Sequence, residues 1–108
     1  MPTALGEKVR HLRKEKGLTL EKLAELTGSV KSYIWELENK NPPRPSAEKI
    51  GKIAAILGVT SEFLLDTSEK SPTPAVEDKA FFRKYQKLGP EGKSKMRSII
   101  ELWDKDKK

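Results

Sequence analysis

The sequence predicts an all-α protein: five short helices around one small core, followed by a two-helix hairpin. Three observations predict it. Apolar residues recur at three- and four-residue spacing along the chain, and no period-two strand pattern or internal repeat stands out. Ser or Thr precedes several of these runs, and Gly17, Gly28 and Gly58 follow them, which is the punctuation of capped helices. The 108 residues are 35% hydrophobic and 35% charged, enough for one small domain and an appendage with a modest core and a long solvated perimeter.

Leu5, Val9 and Leu12 mark the first helix, with Arg10, Arg13 and Lys14 between them. Gly17 stops it after Lys14 and Lys16, cations that suit a helix C-terminus. Thr19 is the expected cap of a second helix, Leu20 to Thr27, with Leu20, Leu23, Ala24 and Thr27 inward. Ser29 is the expected cap of a third, from Val30 to about Asn39, with Val30, Ile34 and Leu37 inward. Pro42, Pro43 and Pro45 make the next stretch a loop. Ser46 caps a fourth helix carrying Ile50, Ile53, Ala54 and Leu57. Thr60 caps a short fifth one with Phe63, Leu64 and Leu65.

Residues 1–66 are thus read as one domain and 67–75 as a linker, because Thr67 to Ala75 is polar and holds two prolines. Residues 76–108 are read as a helical hairpin with a polar tail from Asp104. Gly89-Pro90 breaks the hairpin, and Pro90 fits the first position of its second helix.

Several chemistries are excluded. There is no cysteine, hence no disulfide and no thiolate zinc site, and His11 is the only histidine, so neither a metal nor a cofactor is expected. No apolar run approaches the ~18 residues of a membrane span, and Met1 to Leu5 leads directly into Glu7-Lys8, so a soluble cytoplasmic protein is expected. No P-loop, paired carboxylates or nucleophile–base pair suggests an enzyme. The net charge of +6 favours a polyanionic partner. Its distribution weakens that argument: residues 1–66 hold 11 Lys/Arg against 9 Asp/Glu, and residues 67–108 hold 11 against 7.

Leu23, Ala24, Gly28, Ile34 and Leu37 have the spacing of two helices crossing steeply through a tight turn. A small residue sits at the approach, a glycine at the turn, and apolar residues fold the third helix back. The outer face of that helix is then free to enter a major groove. Together with Ile34-Trp35-Glu36-Leu37-Glu38-Asn39, Pro45-Ser46 and Leu57 to Leu65, these residues make Gly6–Leu65 resemble the lambda-repressor/Cro-type, or Xre, helix-turn-helix family.

The resemblance implies a five-helix lambda-repressor-like DNA-binding domain. It would belong to a sequence-specific transcriptional regulator, more often a repressor, binding operator DNA as a homodimer. Candidate base readers are Lys31, Ser32, Trp35 and Glu36: lysine donates to guanine, serine suits several base edges, and glutamate accepts from cytosine. Two readings stay open for Trp35, contact with a thymine methyl or sugar edge, and cover for the Pro42-Pro43 loop. Tyr33 is divided between a phosphate hydrogen bond and partial burial. Thr19, Ser29, Asn39, Lys40 and Arg44 are candidate backbone contacts, with Asn41 in the same loop. Two positions depart from the family: Leu20 stands where glutamine often touches phosphate, and Lys40 where glycine is frequent, so a positive φ there would strain the lysine. Arg13 and Glu38 fall where the family often has a structural ion pair.

The hairpin cannot bury Phe81, Phe82, Tyr85, Met96, Ile99, Ile100 and Trp103 by itself. A second copy of the chain is the expected cover, since operators for such domains are usually two-fold; packing against residues 1–66 is the other reading. The alternative function is an antitoxin whose hairpin holds a toxin while the first domain autoregulates its operon.

Overall fold

The computed structural model describes residues 3–41, 44–68 and 71–106. They form seven helices and no strand: α1 (Ala4–Glu15), α2 (Leu20–Leu26), α3 (Lys31–Asn39), α4 (Ala47–Leu57), α5 (Ser61–Leu65), α6 (Pro74–Gln86) and α7 (Pro90–Asp106). The fold is all-α, as the periodicity requires.

Capping fixes most of the starts. The hydroxyls of Thr3, Thr19, Ser46, Thr60 and Thr73 accept from the backbone N–H of Gly6, Lys22, Lys49, Phe63 and Val76, and each such cap contributes ~1 kcal/mol. The expectation for α3 needs correction. Its N-cap is Val30, which makes no side-chain cap bond, and Val30 is 66% exposed rather than inward. The reason lies in the turn, where Ser29 is engaged elsewhere.

Val9, Leu12, Leu23, Ile34, Leu37, Ile53, Leu57 and Leu64 are buried in one cluster fed by α1 to α5. Two local devices make the packing tight. At Gly6, a Cβ would sit 2.3 Å from the Leu37 carbonyl oxygen, so α1 lies against the backbone of α3. The buried Lys8 ammonium donates to the Phe63 carbonyl at 2.6 Å and to that of Asp66. These carbonyls near the end of the short α5 thereby gain a donor. The same ammonium lies 4.1 Å from the Phe63 ring centroid.

The hairpin divides its apolar surface. Ala80 is buried and Val76 packs on the α1–α5 core, while Arg83 of α6 makes a two-pronged bond to Glu62 of α5, at 3.0 and 2.8 Å. Lys93 and Arg97 of α7 lie 5.8 and 5.9 Å from the Tyr85 ring. Two boundaries differ from expectation. Thr73 caps α6 so that Pro74 and Ala75 are already helical, inside the stretch read as linker. Likewise α7 continues through Asp104 and Lys105 to Asp106, which the polar composition had suggested was tail.

Candidate nucleic-acid interface

The α2–α3 turn carries the site. Gly28 has φ of 68°, in the left-handed region that side chains enter with strain. Thr27 is buried, and its hydroxyl donates back to the Leu23 carbonyl at 2.8 Å. The Ser29 N–H closes the turn on the Ala24 carbonyl at 2.7 Å. From α4, the Lys49 ammonium reaches across to Ser29 Oγ at 2.7 Å and to the Thr27 carbonyl at 3.2 Å. Ser29 Oγ thus accepts from Lys49 instead of capping α3.

Lys31, Ser32, Trp35 and Glu36 share the exposed side of α3, opposite the buried Ile34, Leu37 and Glu38. One side is apolar apart from Glu38, and the other offers a cation, a hydroxyl, an indole and a carboxylate. The Lys31 ammonium is 3.7 Å from the Glu21 carboxylate of α2. Both are well exposed, so this pair is weak and readily exchanged for another anion. Trp35 is 43% exposed, with the Lys40 ammonium 5.7 Å from its ring. Its other seat, over Pro42 and Pro43, lies outside the described residues.

Helix α3 is oriented from below by a buried pair. Arg13 Nε and Nη2 donate to the two Glu38 carboxylate oxygens at 2.7 and 3.0 Å, and Nη1 donates to the Leu18 carbonyl at 2.8 Å. Glu38 is almost wholly enclosed. A two-pronged contact fixes rotation as well as distance, so the pair holds the azimuth of α3 relative to α1.

The flanking residues are placed less uniformly. Thr19 is exposed at the start of α2, its oxygen occupied by the Lys22 N–H at 3.0 Å. Leu20 packs partly into the core, so the departure from glutamine is used for burial. Tyr33 is half-buried; burial pushes its phenol above its ordinary pKa, which keeps the hydroxyl a donor. Asn39 turns one amide hydrogen back to the Trp35 carbonyl at 2.9 Å, and its second remains. Lys40 has φ of −120° and is extended, so the strain expected of a lysine there does not arise. Asn41 and Arg44 border a cleft of about 250 Å³ with Thr3, Leu5, Leu65 and Thr67. Arg44 is therefore beside the ends of α1 and α5.

On the hairpin, Phe81, Phe82, Ile99, Ile100 and Trp103 are all more than half exposed, whereas Tyr85 and Met96 are half-buried. Leu102, which did not stand out in sequence, is 65% exposed and joins the α7 strip. Lys49, Glu21 and Lys8 were also not legible: each acts across 10 residues or more in sequence, and an isolated Lys or Glu on a helix carries no signal of that partner.

Comparison with known proteins agrees with this geometry. The family model described as a helix-turn-helix domain matches residues 4–66. The HTH-type transcriptional regulator SinR of Bacillus subtilis is 36% identical over 67 residues, covering 62% of this chain and 60% of SinR. The matched stretch is thus less than two thirds of that relative. A crystal structure of SinR, the master regulator for biofilm formation, in complex with DNA superposes with a TM-score of 0.54 at 39% identity, covering 57% of this chain and 98% of that one. A structure of a SinR–SinI protein complex covers 95% of this chain and 97% of that one, with a TM-score of 0.57 and 26% identity. With the match spanning α1 to α5 and the turn at Gly28 in place, the chain belongs to the helix-turn-helix domain family, of the lambda-repressor/Cro-like type.

Proposed function

We propose that this chain is a sequence-specific DNA-binding transcriptional regulator, a repressor, that docks α3 in the major groove of a two-fold operator. The observation that carries the reading is the exposed group Lys31, Ser32, Trp35 and Glu36 on a helix whose back is pinned by Arg13 and Glu38. Lys31 and Ser32 read base edges, and Glu36 accepts from cytosine. Thr19, Ser29, Tyr33, Asn39, Lys40 and Arg44 engage phosphates and set register. The likeness to SinR bound to DNA supports the same mode here.

Assembly is the second half of the proposal. A homodimer joined through the exposed residues of α6 and α7 places two α3 helices on half-sites about one helical turn, ~34 Å, apart. Selection of bound sequences from a random DNA pool tests both parts. A two-fold consensus with half-sites one turn apart supports them, and failure to enrich any sequence removes the operator reading. Deleting residues 72–108 should abolish the dimer and weaken operator binding; a truncated chain that still dimerises with unchanged affinity contradicts the hairpin's role.

A second reading keeps the DNA-binding half and gives the hairpin a different protein to hold, as an antitoxin holds a toxin. The likeness to SinR in complex with SinI, over nearly the whole chain, favours a heteromeric contact of this kind. A stable heterodimer recovered in place of the homodimer would select it.

A further inference from the structure

A groove of about 560 Å³ runs between α4 and α6. That volume lies within the range of small-molecule sites, roughly 300–1,000 Å³. Its apolar lining comes from Leu26 of α2, Ala54, Ala55 and Ile56 of α4, Val59 just after it, and Ala80 of α6. Leu26 is 43% exposed there, an open apolar surface beside a depression left by short side chains. The polar lining is biased in charge. Lys52, Arg83, Lys84 and Lys87 border the groove, with Glu48 as the one carboxylate. Arg83 is held by Glu62, and Lys52 is 3.4 Å from Glu48. Lys84 and Lys87 have no anionic partner among the described residues. None of the residues assigned to DNA lines this groove.

The geometry points to a binding site for a small amphipathic anion, a molecule with one anionic head for Lys84 and Lys87 and a short hydrocarbon body over Leu26, Ala55 and Ile56. A small molecule suits this space better than a protein helix, which with side chains is ~10–12 Å across: Arg83–Glu62 fastens α6 to α5, and Ala80 is buried beside the groove. Because the walls belong to the helix-turn-helix body and to the hairpin, an occupant touches both and reinforces their docking. The site stands independently of any DNA-binding role.

Decanoate, held below its micelle concentration, is the probe, titrated into the full chain at low salt with methyl resonances as the readout. Saturable shifts are expected at Ala55, Ile56 and Ala80. Removing the head, with decanol, or the cations, with Lys84→Gln/Lys87→Gln, should weaken binding roughly tenfold. Decyl phosphate in a parallel titration identifies which anionic head is preferred; tighter binding of either supports the site. Ala55→Phe fills the groove and should abolish the shifts. The double lysine variant changes only exposed side chains and keeps the test readable if Ala55→Phe misfolds. Absence of saturable shifts, equal binding of decanol, or shifts confined to Ile99–Trp103 would overturn the proposal. So would shifts at these methyls with a glutamate-rich helical peptide where decanoate gives none.

Discussion

Lys49 donates to Ser29 at 2.7 Å, so a residue of the fourth helix holds the turn that aims the third. Its ammonium also bonds the Thr27 carbonyl and lies 5.7 Å from the Tyr33 ring. Three features of the turn therefore depend on one side chain. Lys49→Met should reduce stability by about 1 kcal/mol in urea unfolding, the usual cost of a lost hydrogen bond. It should also weaken operator binding with the salt dependence unchanged, because Lys49 positions the turn. A salt slope reduced by about one would make it a phosphate contact instead.

Arg13 and Glu38 are predicted to be strongly unequal to their parts. Arg13→Met leaves a carboxylate enclosed without a counter-charge, and unfolding should be easier by about 3–5 kcal/mol. Replacing both, Arg13→Met with Glu38→Leu, should recover most of that. Equal losses in the single and double variants would show that the pair stabilises by itself and that enclosure matters little.

Lys31→Ala should cost about 1–3 kcal/mol of operator affinity and relax preference at one base pair. Glu21→Gln removes the anion that competes for Lys31 and should tighten binding at low salt. Uniform weakening of Lys31→Ala across all sequences would reassign Lys31 to the phosphate backbone.

The Glu62 carboxyl is lowered from 4.5 to about 2, first by its hydrogen bond with Arg83 and then by a backbone hydrogen bond. Because the folded value is depressed, the contribution to docking α6 is complete above the ordinary value and disappears as pH falls through about 2. Both side chains are exposed, which makes the energetic effect small. Carboxyl-detected titration is the direct measurement: a midpoint near 2 in the native chain, returning toward 4.5 in Arg83→Gln. A native midpoint at 4.5 would mean the pair does not persist in solution.

Gly6→Ala introduces a Cβ 2.3 Å from the Leu37 oxygen. Overpacking of this kind costs about 1–3 kcal/mol. Thermal unfolding should shift down, with a further loss of DNA affinity because α3 is displaced from α1.

The sequence was most legible where structure is local. Thr19, Ser46 and Thr60 announce helix starts because a cap and its N–H are three residues apart. Ile34 and Leu37 announce burial because a helix face repeats. Ser29 misled for the same reason: it has the chemistry of a cap, and only Lys49, 20 residues away, explains why it serves the turn instead. Val30 looked inward by type and spacing, yet the helix begins one residue later and leaves it in solvent. The candidate reading face followed from subtraction, since Lys31, Ser32, Trp35 and Glu36 are what remains of α3 once the packing residues are removed.

The contact at Gly6 bears on how this scaffold tolerates change. Helix α3 meets α1 through main-chain atoms of Leu37 and Glu38, so the seating there does not depend on the outward side chains of α3. Those side chains are interchangeable parts on a fixed mount. Transplanting a foreign set at positions 31, 32, 35 and 36 should retarget the protein to another DNA sequence while its melting behaviour stays nearly constant.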